Sequence, residues 1–374
     1  MSPPGDGGLE AEAAPAWDGC FHLDGRPYCV KWSPDGALLA AGDDDSRVHV
    51  LDVSARTVRH TMNAAVSAAD ALPTLALCWR PSAVGRRRRL VLLEGNCAGF
   101  VNHWHVPSAK RLHATRQPGN AVHCADYTHD GWAFATSGKD ACVRVYEEAT
   151  KSELLVFRGG DERGSLKHGH VQQVFAVRFH DAHAHVLASA GWDKVVHVWD
   201  VRVGASVSVF SGPFVAGDCI DMHGNDLLAG SHGRAGQVQI FDLRRPGGTP
   251  TFALSIASAA GSHDGPCSLY ACKFSRDAGR TMIGIGGNTA GGGPNGGGVS
   301  GGTGDGLVRV YDRARQAFVE SLELRGRSVY SVDFAPPMPG QPARLAFAAG
   351  SKLGSFVRVL DVAPSQIVVP DRRW

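Results

Sequence analysis

The feature that most constrains this chain is a short alternating segment that occurs seven times, each copy ending in an aromatic or aliphatic residue and then Asp or a polar substitute. The copies read RVHVLD, FVNHWH, CVRVYE, VVHVWD, QVQIFD, LVRVYD and FVRVLD. They close on Asp52, His105, Glu147, Asp200, Asp242, Asp312 and Asp361, at spacings of 53, 42, 53, 42, 70 and 49 residues. The shortest spacing, 42 residues, fits one four-stranded unit of a radial repeat, about 40 to 45 residues. Upstream of the copies stand apolar segments such as YCVKWSPDG, VHCADYTHDG, VFAVRFHDA and VYSVDFAPP. Small-residue segments follow these, such as LLAAG, AFATSG, VLASAG and LAFAAG, with polar turn residues between them.

A period of two over segments this short places alternate side chains on opposite faces of a sheet. One four-stranded unit cannot hide both faces, so units have to stack on their neighbours, and closing the stack into a ring leaves no terminal unit exposed. The expectation is an all-β chain folded as a seven-bladed β-propeller of four-stranded antiparallel blades. A β-sandwich does not require one motif order seven times over. The propeller is expected to span residues 17–374 as one domain, behind a disordered tail at 1–16.

Composition narrows the partners. Lys and Arg number 38 against 36 Asp and Glu, a net charge of +2, so no long-range positive field gathers nucleic acid or an anionic membrane. No apolar run approaches the roughly 18 residues of a membrane helix, and the first residues lack the basic and apolar parts of a secretory signal. The expected location is the cytoplasm, with nucleus or cilium as alternatives. Nine cysteines, an odd number without a C-x-x-C pair, include Cys29, Cys78, Cys124, Cys142 and Cys272 inside apolar alternations. They read as free thiols in a reducing compartment, with no zinc site.

The fourth copy, GHVQQVFAVRFHDAHAHVLASAGWDKVVHVWD, opens on Gly169-His170 and closes on Trp199-Asp200, and it resembles the WD-repeat (WD40) consensus. The similarity extends in graded form over about residues 20 to 362. It implies a buried hydrogen-bonded chain of His170, Ser189, Asp193 and Trp199. Other blades keep part of the set: Ser137, Asp140 and Tyr146 in the third, His263 and Tyr311 in the sixth. The resemblance also implies that the N-terminal segment Gly19–Leu23 completes the last blade; QIVV near the C-terminus is the competing candidate for that place.

Three insertions invite a chemical reading. The Gly-rich stretch Gly284–Gly306 accounts for most of the 70-residue spacing; without a following Lys-Ser/Thr or helix it is a flexible loop between second and third strands, not a phosphate cradle. Arg86–Arg89 reads as a solvated loop, with a nuclear-localisation or anion-binding patch as the alternative. His180, His183 and His185 lie close in sequence but in a turn, where nothing orients them as metal ligands. No nucleophile elbow, H-E-x-x-H or reactive cysteine context occurs, and the expectation is a protein that is not an enzyme and takes no cofactor or metal.

The function expected is a non-catalytic scaffold for protein–protein interaction, a monomer within a larger complex. Family geometry puts the turns between second and third strands on the narrower face, where Asp44, Lys139, Trp192, His232, Arg234 and Lys352 become candidate partner contacts. Trp192 is the leading anchor, unless it packs against a neighbouring turn. The segment Leu187–Arg202 also resembles the box of WD-repeat substrate receptors in cullin–RING ubiquitin ligases, which implies that Arg202 contacts the ligase adaptor; Arg244 is the weaker candidate for that role. A structural subunit of a cytoskeletal or ciliary assembly is the remaining alternative.

Overall fold

Each of the seven repeated segments forms the third strand of its own antiparallel sheet in the computed structural model, which describes residues 18–65, 67–81, 90–159, 169–233, 235–256, 267–289, 305–351 and 354–362. There are seven sheets of four strands. The third strands are Arg47–Asp52, Phe100–His105, Val143–Glu147, Val195–Asp200, Val238–Asp242, Gly306–Asp312 and Gly354–Val362, and they number the blades 1 to 7. The innermost strands, in the same order, are Cys29–Trp32, Thr74–Trp79, Val122–Tyr127, Val174–Phe179, Ile220–His223, Ser268–Phe274 and Ser328–Phe334. Each innermost strand touches the next, and that of blade 7 touches that of blade 1, so the ring closes around a central channel. Helix is confined, among the described residues, to two single 3₁₀ turns, Ala68–Asp70 and Val106–Ser108.

The core lies between the blades. Leu38, Ala40, Val48, Val50 and Met62 of blade 1 pack on Leu77, Trp79, Leu92 and Trp104 of blade 2, all buried. Small residues let the sheets approach. A Cβ on Gly284 would stand 2.8 Å from the Phe334 ring, and one on Gly286 2.7 Å from Val332. This corrects one boundary: the stretch expected as a loop from Gly284 begins as strand Met282–Asn288, because blade 7 presses against its glycines. The connection narrows to residues 289–305, of which 290–304 lie outside the described residues.

Closure falls to the N-terminal strand. Cys20–Leu23 pairs antiparallel with the outer side of Gly354–Val362, from Cys20 opposite Arg358 to Leu23 opposite Ser355. The competing QIVV segment and the tail at 1–16 lie outside the described residues.

Candidate functional site

The innermost strands carry a repeated irregularity that shapes the mouth of the channel. In blades 2, 3, 4, 6 and 7 the pairing with the second strand skips one residue, and the skipped residues are Leu75, His123, Phe175, Tyr270 and Tyr330. A bulge re-aims the side chain it carries. All five line one cavity of about 170 Å³ at the mouth, with Tyr28, Lys31, Ala216, Gly217 and Asp218.

The rings do not stand alone. His123 stacks on Phe175 at 4.4 Å between centroids, Phe175 on Trp192 at 5.1 Å, and Trp192 on Phe214 at 6.2 Å. Phe214 meets His232 edge-on at 5.9 Å, and His232 meets Tyr270 at 5.1 Å. Tyr270 then approaches Tyr330 at 5.4 Å, and Tyr330 approaches Tyr28 at 4.9 Å. Eight half-buried rings thus form a continuous belt from blade 3 around to blade 1, with Leu75 of blade 2 in the gap. Offset and edge-on pairs of this kind contribute about 0.5–1.5 kcal/mol each beyond their burial, so the belt is prearranged.

Below the belt the channel is charged. Three residues beyond each mouth position stand Lys31, Cys78, Asp126, Arg178, Asp221, Lys273 and Asp333. Asp126 accepts the backbone N–H of Phe179 at 2.8 Å, Asp221 that of Phe274 at 3.0 Å, and Asp333 that of Trp32 at 2.8 Å. Each of these carboxylates clasps the innermost strand of the next blade. Blade 5 departs from the pattern: its mouth position holds Asp218, which accepts from Lys31 at 2.6 Å and Lys273 at 2.5 Å and reaches Arg178 at 3.3 Å. Burial alone would raise the Asp218 carboxyl, but Lys273, Lys31 and Arg178 hold it well below the usual carboxylate range.

The hydrogen-bonded chain of blade 4 is present in full. Asp193 Oδ2 lies 2.8 Å from His170 Nδ1, His170 Nε2 lies 2.7 Å from Ser189 Oγ, and Trp199 Nε1 donates to Ser189 Oγ at 2.8 Å. Blade 3 uses other residues than expected. Gln117 Nε2 donates to Thr136 Oγ1 at 2.9 Å and to the Tyr146 hydroxyl at 3.0 Å. Ser137 takes no part, because its neighbour Thr136 holds the register position of Ser189. Asp140 turns to Arg144 instead. Tyr311 of blade 6 is buried, and His263 lies outside the described residues.

The candidate contacts separate by place. Asp44, Lys139, Trp192 and His232 all sit in turns between second and third strands, on the face where the innermost strands begin. Trp192 and His232 are members of the belt, and burial pushes His232 down to about 4. Trp192 therefore does pack against its neighbours while keeping part of its surface exposed. Asp44 is tied to Arg26, Oδ2 to Nε at 2.9 Å. Lys139 is exposed. Arg234, Lys352 and Arg86–Arg89 lie outside the described residues.

Arg202 occupies a turn between third and fourth strands, on the opposite face. Its guanidinium forks onto its own Asp200, at 3.1 and 2.7 Å, and Arg244 does the same to Asp242 at 2.9 and 2.8 Å. The fork is thus a local product of the strand end, repeated in two blades. His180 is engaged at both ring nitrogens, by Gly224 O at 2.7 Å and by the N–H groups of Ala182 and His183 at 3.0 and 3.2 Å. Among the described residues no group of His, Cys, Asp and Glu has the geometry of a metal site, and none of the nine cysteines is joined in a disulfide.

Reading the sequence by its third strands passes over Tyr28, His123, Phe175, Tyr270, Tyr330 and Asp218. Their signal lies in the first strands, where a ring repeatedly stands three positions before a charged residue, as in YCVK, FAVR, YACK and YSVD.

Comparison with known proteins points one way. The family described as WD domain, G-beta repeat matches residues 20–52 and 161–200. The chain is 25% identical over 238 residues to the U3 small nucleolar RNA-associated protein 15 homolog of Gallus gallus, which covers 62% of this chain and 41% of that protein. It is 25% identical over 240 residues to a guanine nucleotide-binding protein subunit beta of Arabidopsis thaliana, 63% of this chain and 55% of the relative. It is 29% identical over 178 residues to periodic tryptophan protein 2 of Arabidopsis thaliana, 46% and 17% respectively. The chain spans less than two thirds of the length of these relatives.

Proposed function

This chain belongs to the WD40-repeat family, and on that premise we propose that it is a non-catalytic scaffold, presenting the belted face of its propeller to partner proteins within a multiprotein complex of the cytoplasm or nucleus. The observation that carries the reading is the belt of eight half-buried rings around one mouth of the channel. Interfaces draw most of their affinity from a few desolvated anchors, aromatic ones above all, set in a surface already shaped to receive them. A belt held rigid by its own stacking loses little side-chain freedom when a partner covers it.

The test is affinity purification of the full chain from cells, followed by mass spectrometry, beside Trp192→Ala and Arg202→Ala. The expected result is a defined set of co-purifying proteins that Trp192→Ala loses and Arg202→Ala retains. The same set captured by native chain and Trp192→Ala would overturn the assignment to this face. A cullin–RING adaptor captured by the native chain and lost with Arg202→Ala alone would turn the reading to a ubiquitin-ligase substrate receptor. Recovery of a cytoskeletal or ciliary assembly would place the scaffold there.

A further inference from the structure

The belted mouth also says what it can receive. Its cavity of about 170 Å³ is close to the roughly 150 Å³ cavity that takes one benzene. The lining of Tyr28, Leu75, Leu77, His123, Phe175 and Tyr270 is largely apolar. One side chain of that size fits, and Leu75, the one aliphatic mouth position, lines the cavity between the two ends of the belt.

Aromatic walls with a carboxylate at the base invite a cation as guest. Here the carboxylate is already taken. Asp218 is met by Lys31, Lys273 and Arg178, whose side chains are themselves only 10%, 4% and 17% exposed. An arriving ammonium or guanidinium would lose its hydration and meet carboxylates already engaged, Asp126 by Arg178, Asp221 by the Phe274 N–H and Asp333 by the Trp32 N–H. An uncharged guest meets no such penalty and gains the burial of its apolar surface.

Charge on the rim constrains the rest of the partner. Lys139 and Lys194 are exposed in the turns between second and third strands of blades 3 and 4, the blades that carry the His123–Phe175–Trp192 stack. Among the described residues neither has an ion-pair partner: the adjacent carboxylate of Asp140 is held by Arg144 and that of Asp193 by His170. On blade 1 the corresponding charges cancel, Arg26 on Asp44 and Arg47 on Asp45. Among the described turns between second and third strands, those of blades 3 and 4 therefore carry exposed lysines with no carboxylate paired to them.

From this geometry we infer that the channel mouth receives one aromatic or large aliphatic side chain of a partner protein's extended segment, whose flank over blades 3 and 4 is acidic. The inference rests on the scaffold reading and deepens it. The test is selection of a random dodecapeptide phage library on the immobilised full chain, followed by anisotropy titration of the enriched peptides. The expected peptides carry a Phe, Trp, Leu or Met anchor beside Asp or Glu. Filling the cavity with Leu75→Trp should weaken them by about tenfold or more, as loss of a central anchor does. The pair Lys139→Glu and Lys194→Glu should weaken them roughly threefold or more, with an effect that shrinks as salt is raised. Should Leu75→Trp fail to fold, judged by its thermal melt, Tyr330→Ala removes a wall of the same cavity and serves in its place.

Enrichment of Lys or Arg anchors, peptides indifferent to both cavity variants, or no enrichment at all would overturn the inference. So would a belt-dependent affinity for a fluorescein-labelled oligouridylate above that for any selected peptide, since rings and cations together also stack single-stranded bases. If Trp192→Ala strips the native partners while the peptides show no anchor, the scaffold stands and the anchored segment falls; if native partners are also unaffected, both fall.

Discussion

The carboxylate of Asp218 in blade 5 accepts a hydrogen bond at 2.6 Å from the Lys31 ammonium of blade 1, 187 positions away in sequence. With Lys273 and Arg178 on the same carboxylate, one anion ties blades 1, 4, 5 and 6 across the channel. Removing it leaves buried cations facing one another. Asp218→Asn should therefore cost about 3–5 kcal/mol, the usual penalty for breaking a buried ion pair from one side. The urea midpoint is the measurement. Adding Lys31→Met to Asp218→Asn should recover part of the loss, because one uncompensated charge goes with it. An Asp218→Asn midpoint equal to that of the native chain would show that the cations find other partners.

In blade 4 the order of two substitutions is diagnostic. Trp199→Phe removes one donor and leaves Ser189 bonded to His170, so it should cost about 1–2 kcal/mol, a single buried hydrogen bond plus a little packing. Ser189→Ala removes the shared partner of both His170 Nε2 and Trp199 Nε1, each buried, and should cost about 2–4 kcal/mol. Thermal melts of the two variants settle the order. The reverse order would mean that the indole's packing, and not the hydroxyl relay, dominates the site.

The ring of seven blades was legible because each third strand repeats its own alternation, and the chain from Asp193 to Trp199 because blade 4 keeps every member of its motif. Partial motifs misled by one position. Ser137 is the nearer match in TSGKD, yet pairing gives Thr136 the register position of Ser189, and Gln117 bridges Thr136 to the Tyr146 hydroxyl. The Gly284–Asn288 part of strand Met282–Asn288 reads as loop because its glycines run on into the Gly-rich stretch, and only the approach of Phe334 and Val332 shows why they belong to a sheet. The Asp218 network was beyond reach for a different reason. Its partners come from blades 1, 4 and 6, and no local pattern specifies which charges meet once the ring has closed. The belt depends likewise on bulges, which shift a side chain without marking the sequence strongly.

The strand Cys20–Leu23 covers what would otherwise be an open edge. It also buries Phe21, which is 5% exposed, against Val357 and the inner face of blade 1. Deleting residues 1–24 removes about 2–3 kcal/mol of apolar burial and bares the outer side of Gly354–Val362 for pairing with another chain. The expected outcome is a lower melting temperature together with concentration-dependent association, followed by size-exclusion chromatography with light scattering. A truncated chain that remains monomeric and melts with the parent would show that closure does not depend on this strand.

Glu94 in blade 2 holds the register position that Ser189 holds in blade 4, opposite Asn102 as Ser189 is opposite His197. It is fully buried, and burial pushes its pKa up to about 7 despite hydrogen bonds from Asn102 Nδ2 at 2.6 Å and Thr74 Oγ1 at 3.2 Å. An acid raised on folding binds more protons in the folded state than in the unfolded one, so its contribution is most favourable below the unfolded pKa of 4.5 and declines as pH rises towards 7. The decline amounts to ~3 kcal/mol and persists above that pH. Glu148 moves the opposite way: although burial opposes it, His103 and Lys151 hold it down at about 2, so its contribution is lost only below about pH 4.5 and the two windows do not overlap. Glu94→Gln keeps a polar side chain of the same shape without the charge. It should lie within about 1 kcal/mol of the native chain at pH 5 and exceed it at pH 8 by up to ~3 kcal/mol in urea unfolding. Parallel stability curves for the two proteins from pH 5 to pH 8 would show that Glu94 ionises within the blade at no cost.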